Sequence, residues 1–170
     1  MTPFRPTQAR LRPDEALAFY RSGAGPILKK GGLASVGFWA SLPGVVEGLA
    51  RLECRDDLLA LAPFVEELRG SEIVMSTGWG LPVATVAGIV CRWADRWDEA
   101  EAHFRLAVHQ TDTTPFEFQR GQTREWYAGM LLARGGAGDR DRARTLLGEA
   151  RGIYTTLGFH GLHSGVKSAD

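Results

Sequence analysis

The sequence is short of the features that mark a membrane, secreted or nucleic-acid-binding chain. No stretch of its 170 residues approaches the roughly 18 consecutive apolar residues of a membrane span. The first ten residues, Met1 to Arg10, hold no apolar core of about 7–15 residues such as a secretory signal needs. There are only two cysteines, Cys54 and Cys91, without CxxC spacing, so neither a disulfide scaffold nor a cysteine-rich zinc module is expected. Both are read as reduced and structural, and a cytoplasmic location is expected. Charge of one sign is also missing. Twenty Lys and Arg stand against twenty Asp and Glu, which removes the broad field of a dedicated nucleic-acid or anionic-membrane binder.

Strand signals are nearly absent too. The one β-favouring run, Glu72 to Thr77, is short and lies between Gly70 and Gly78, so an extended linker is expected there. What the chain has instead is helical periodicity. Trp97, Ala100, Phe104, Ala107 and Val108 fall on one face of a helix over 97–110. Ala143, Leu146, Leu147, Ala150, Ile153, Tyr154 and Leu157 do the same over 140–157, with Gly158 as a stop. A third helix over 56–69 carries Leu58, Leu61, Ala62, Val65 and Leu68, with Pro63 expected to bend it or shorten its first turn.

Partner helices lie between these. Thr114, Pro115 and Glu117 predict an N-cap, a first helical residue and a capping glutamate for a helix running to Arg134. Pro82 opens another through Val83, Val86, Ala87, Val90 and Ala94. The pattern over 34–52 is helical, with a kink or break expected at Pro43-Gly44. A short helix is expected over 12–21.

Sliding the chain against itself aligns Arg55-Asp56-Asp57-Leu58, Trp97-Asp98-Glu99-Ala100 and Arg140-Asp141-Arg142-Ala143 at helix starts, their last residues 42 and 43 positions apart. A helix-turn-helix unit at that period marks a solenoid, whose units bury their apolar faces by stacking. In the second unit Gly88 precedes Ala100 by twelve residues, and Ala100, Phe104 and Ala107 alternate small, aromatic and small. In the third, Ala128-Gly129 is expected to be the close-packing pair for Ala143, Leu147 and Ala150.

On these residues the stretch from about Phe38 to Phe159 resembles the tetratricopeptide-repeat family. It is similar to the long-period repeat region at the C-terminal end of LuxR-type ATP-dependent regulators and of adenylate cyclase or ATPase multidomain proteins. The likeness is carried by Arg96 to Phe104, Met130 to Arg140 and Ala143 to Gly158. It implies an all-α fold, a right-handed stack of about three antiparallel helix pairs over 34–159, after an extension or capping helix over 1–33 and before a flexible tail over 160–170. It also implies a groove lined by the first helix of each pair, which at matching positions gives Thr85, Ile89, Arg92, Trp93, Trp126, Met130 and Arg134. The expected function is non-catalytic binding of another protein or peptide segment. The alternative is a ligand-sensing part of a bacterial transcription regulator or cyclase system. A homodimer through the C-terminal helix, ending in Tyr154, Leu157 and Phe159, is a further expectation.

No chemistry of another kind emerges. Gly78 to Pro82 has the glycine density of a phosphate cradle but neither its Lys-Ser/Thr ending nor a preceding strand. His160 and His163 lack a nearby carboxylate or cysteine to complete a metal site. His103 and His109 lie six apart and point in different directions. The pairs Asp56/Asp57 and Asp98/Glu99 fit first helical turns, where the dipole favours negative charge, and Glu66/Glu67 read as solvated. Arg140, Arg142 and Arg144, interleaved with Asp139 and Asp141, read as a mixed solvated face. No cofactor, metal or catalytic residue is expected.

Overall fold

The computed structural model describes residues 12–24, 36–71, 73, 74 and 80–159. The pair His160 and His163, most of the linker over 72–79 and the tail over 160–170 lie outside the described residues. Contacts divide the chain into two units, Met1–Leu33 and Ala34–Asp170. In the first, α1 (Pro13–Phe19) carries Pro13 in its first turn with Asp14 and Glu15 beside it, and passes into one π-helical turn, Tyr20–Ala24.

The second unit is all-α over its described residues. Its helices are α2 (Val36–Arg51), α3 (Arg55–Leu59), α4 (Ala62–Gly70), α5 (Val83–Trp93), α6 (Trp97–Asp112), α7 (Glu117–Arg134) and α8 (Asp139–Thr156). The break expected at Pro43-Gly44 does not occur, and α2 runs unbroken through both residues. Leu42, Val46, Leu49 and Ala50 bury one stripe of it, and α2 packs on α5, so tertiary packing offsets the backbone bond that proline removes. Proline prevails in the next segment instead. Pro63 lies in the first turn of α4, where its missing N–H costs nothing, and the helix expected over 56–69 becomes two.

The helix expected from Thr114 and Pro115 begins two residues later, with Phe116 as its N-cap and no side-chain cap bond. The Thr114 hydroxyl donates back to the Thr111 carbonyl at 3.4 Å, serving the end of α6 rather than the start of α7. The turn chemistry at Thr114 marks a helix boundary, but it finishes one helix rather than starting the next.

The repeat is visible in the backbone. The second helix of each pair begins at Arg55, Trp97 and Asp139, 42 residues apart in both steps. The first two turns have the same conformation: Glu53 and Asp95 both sit at φ 58°. In each, the following N–H reaches back five residues, Cys54 to Leu49 and Arg96 to Cys91, both at 2.9 Å. The third turn is one residue longer and places Gly135 and Gly138 at positive φ, where glycine carries no Cβ penalty. Each later first helix packs on its own second helix and on the second helix of the pair before: α5 on α6 and α4, α7 on α8 and α6. First helices also touch, α2 with α5 and α5 with α7.

Close approach in the second pair occurs where the sequence placed it. A Cβ on Gly88 would lie 3.0 Å from the Phe104 ring, and Ala100, Phe104 and Ala107 have no exposed surface. In the third pair Gly129 faces Arg92 on α5, Ala128 is fully buried, and the tightest glycine contact is at Gly121, where a Cβ would meet Tyr154 at 2.6 Å. Tyr154 is a larger occupant than the leucine or alanine positions anticipated, so the glycine that admits it lies near the start of α7.

Candidate partner-binding site

The expected groove is largely filled by the protein itself. Every residue from Leu81 to Cys91 is buried, since α2, α3, α4, α6 and α7 all contact α5. Thr85, Ile89 and Met130 have no exposed surface. Thr85 is committed to an inter-helix hydrogen bond, its hydroxyl 2.9 Å from that of Thr123. Trp126 is 8% exposed and lies beneath the Arg51 guanidinium, 5.1 Å from its ring centroid, a cation–π arrangement. These four residues are core and inter-helix contacts rather than an open lining. The physical reason is that touching first helices spend on each other the surface that an open groove would present.

Arg134 is also committed. Its Nε and Nη2 donate to the two oxygens of Asp139, both at 2.8 Å, and Nη1 donates to Glu101 at 2.5 Å. Glu101 collects further donors: Arg142 at 2.6 Å, Arg105 at 2.7 Å and the Tyr127 hydroxyl at 3.1 Å. Burial by itself would raise the Glu101 pKa, but the hydrogen bonds from Arg142, Arg134 and Tyr127 hold it down to about 2. The Arg134 bonds likewise hold Asp139 at about 2. Asp139 is 2% exposed and accepts the Gly136 N–H. The run from Asp139 to Arg144 is therefore only in part the solvated face expected of it. Asp141, Arg140 and Arg144 are exposed, while Asp139 and Arg142 turn inward to join α6, α7 and α8.

Two of the seven expected residues remain available. Arg92 and Trp93, at the C-terminal end of α5, are half-buried, the Arg92 guanidinium 5.6 Å from the Trp93 ring centroid. Among the described arginines, three have side chains with no ion pair or hydrogen bond: Arg140 and Arg151 are exposed, and Arg92 is half-buried. Burial lowers its pKa, and the charge of Glu53 opposes that shift. Gly129 on α7 faces the guanidinium: a Cβ there would lie 3.6 Å from Arg92 Nη1, an ordinary van der Waals contact. The buried indole N–H groups of Trp93 and Trp126 have no acceptor. Unmatched donors on the abutting α5 and α7 call for an explanation, because buried polar groups are ordinarily paired.

The other candidate groups offer less chemistry. Cys91 is buried, and burial pushes its thiol up, the reverse of an activated nucleophile. His103 is held below its ordinary value by burial. Among the described residues no group of three His, Cys, Asp or Glu could hold a metal ion, and no helix is long and apolar enough to cross a membrane. Of the expected dimer contact, Tyr154 is buried and donates its hydroxyl to Glu125 at 3.1 Å. Leu157 and Phe159 are exposed, and Phe159 leans on Phe118 with centroids 5.5 Å apart. Sequence reasoning missed the Glu101 network, whose members are brought together only by the fold. Comparison with protein-family models, with curated proteins and with solved structures finds no match to this chain.

Proposed function

We propose that the chain is a non-catalytic, tetratricopeptide-like binding module that holds a partner segment where the C-terminal end of α5 meets the middle of α7. The observation that carries this reading is Arg92, half-buried over Trp93 and without an acceptor. An arginine in that state has been partly desolvated with no bond to offset the cost. A partner carboxylate or carbonyl would supply one, and Trp and Arg are the residues most enriched where binding energy concentrates. Self-association through α8 has less support. Along the helix the exposed positions Asp141, Arg144, Thr145, Gly148, Glu149 and Arg151 include no large apolar residue, and the exposed large apolar residues are Leu157 and Phe159 at its end.

The test is capture from a cell lysate by three chains of equal helicity: wild type, Arg92→Glu, and Arg151→Glu as a control for an exposed unpaired arginine. A protein retained by wild type and Arg151→Glu and lost from Arg92→Glu is the expected result. Equal retention by all three, or by none, overturns it. Arg134→Glu is not a usable probe, since it would place a third carboxylate against Glu101 and Asp139.

A further inference from the structure

On another part of the second unit, where the end of α6 meets the start of α7 and the last turns of α8, lies an open cavity of about 400 Å³. Its wall is built around Arg124, whose side chain is 10% exposed. Nη2 donates to both oxygens of Asp112, at 2.8 and 3.0 Å, and Nε donates to Glu149 Oε2 at 2.7 Å. These bonds fix two carboxylates from different helices on either side of one guanidinium. Both stay close to half exposed, at 42% and 48%.

A second arginine offers the opposite sign. Arg120 also lines the cavity and pairs only with Glu117, three residues earlier on its own helix, at 2.6 Å. Such local surface pairs are weak and exchange readily. Glu117 lines the cavity as well, and the rest of the lining is apolar or small: Ile153, Thr156 and Gly152. A Cβ built on Gly152 meets nothing within 4 Å, so a larger side chain there would have room to enter the space.

We infer that this cavity takes a free α-amino acid in its zwitterionic form, its ammonium against Glu149 and Asp112, its carboxylate on Arg120, and its side chain over Gly152 and Ile153. A cavity presenting fixed carboxylates and an exchangeable guanidinium discriminates for a ligand that carries both charges close together. Ligands of one sign satisfy half of it. The volume accommodates a small amphipathic molecule. This site is separate from Arg92 and does not depend on the partner segment.

The experiment is calorimetric titration of the whole chain with leucine, with N-acetyl-leucine, which lacks the ammonium, and with leucinamide, which lacks the carboxylate. Leucine is expected to bind, and each blocked analogue to bind at least about tenfold more weakly, as loss of a charge-assisted contact implies. Two variants locate the site: Gly152→Leu fills the cavity from an exposed helix position, and Arg120→Gln removes the exchangeable cation. Both should keep the wild-type circular dichroism and lose leucine binding. The inference fails if leucine gives no heat at millimolar concentration, if leucinamide binds as well as leucine, or if Gly152→Leu binds leucine unchanged. Arg92→Glu should leave leucine binding intact, so this result and the partner-capture result are read independently.

Discussion

Helices α5 and α7 hold corresponding places in successive pairs, yet α5 is nearly sealed from solvent while α7 buries half of its residues, and the two are covered by different means. From Val83 to Cys91 the buried surface of α5 is aliphatic and small apart from Thr85. Along α7 the buried residues include Gln119, Thr123 and Arg124, and Arg134 closes the helix with ion pairs on two sides. The difference follows position. α5 has helices of three pairs around it, so dispersion and apolar burial suffice. α7 is in the last pair among the described residues, and its margins are closed by salt links that tolerate partial exposure.

Breaking the charged side should cost most. Glu101→Leu leaves three guanidinium groups and a tyrosine hydroxyl around an apolar side chain, and it is expected to destabilise by about 3 kcal/mol in urea unfolding. Leucine at an exposed position of α6 such as Ala102 should change stability by less than about 0.5 kcal/mol. If Glu101→Leu unfolds at the wild-type urea midpoint, the network is ornamental and the contrast between the two helices collapses.

Acid probes the same side without mutation. Glu101 and Asp139 titrate at about 2 in the folded chain, below their ordinary range. Their stabilisation is therefore complete above about pH 4.5 and is lost as pH falls toward 2, because the unfolded chain then binds protons the folded one refuses. Glu125, raised by burial against the Tyr154 hydrogen bond, acts in the opposite sense and favours the folded state as pH falls. Urea midpoints compared at about pH 6 and about pH 3 should fall for wild type and by less for Glu101→Leu, in which Asp139 still titrates against Arg134. An equal fall in both would place the acid sensitivity elsewhere.

The smallest expected effect sharpens the comparison where the two helices touch. Thr85→Val leaves the buried Thr123 hydroxyl without its partner and should cost about 1–2 kcal/mol. Thr85→Val with Thr123→Val should recover most of that, since removing both polar groups leaves no orphan. A double variant as unstable as the sum of its parts would mean that the pair supplies packing rather than hydrogen bonding.

The sequence displays what is local and periodic. The repeat steps of 42 and 43 residues, the acidic first turns and the Gly88, Ala100, Phe104, Ala107 constellation follow from regular spacing along the chain, and the helices formed accordingly. Long-range partnership does not show in a linear pattern. Nothing near Glu101 announces Arg134 or Arg142, and a helix with the apolar pattern of α5 reads the same whether one face or all of its circumference is covered. The groove residues suffered from this limit: Thr85, Ile89 and Met130 were placed on the right helices and turned toward neighbouring helices rather than a ligand. Arg92 stays half-buried because it lies at the helix end, past the point where its neighbours close.

The even stepping of Arg55, Trp97 and Asp139 has an architectural consequence. When second helices start at a constant interval, the junction between one pair and the next has the same register wherever it occurs, so the length of such a molecule is set by copy number rather than by a unique global solution. A chain carrying residues 97–138 twice would keep that register throughout. Growth of the scaffold, by duplication in nature or in the laboratory, then needs no redesign of α8.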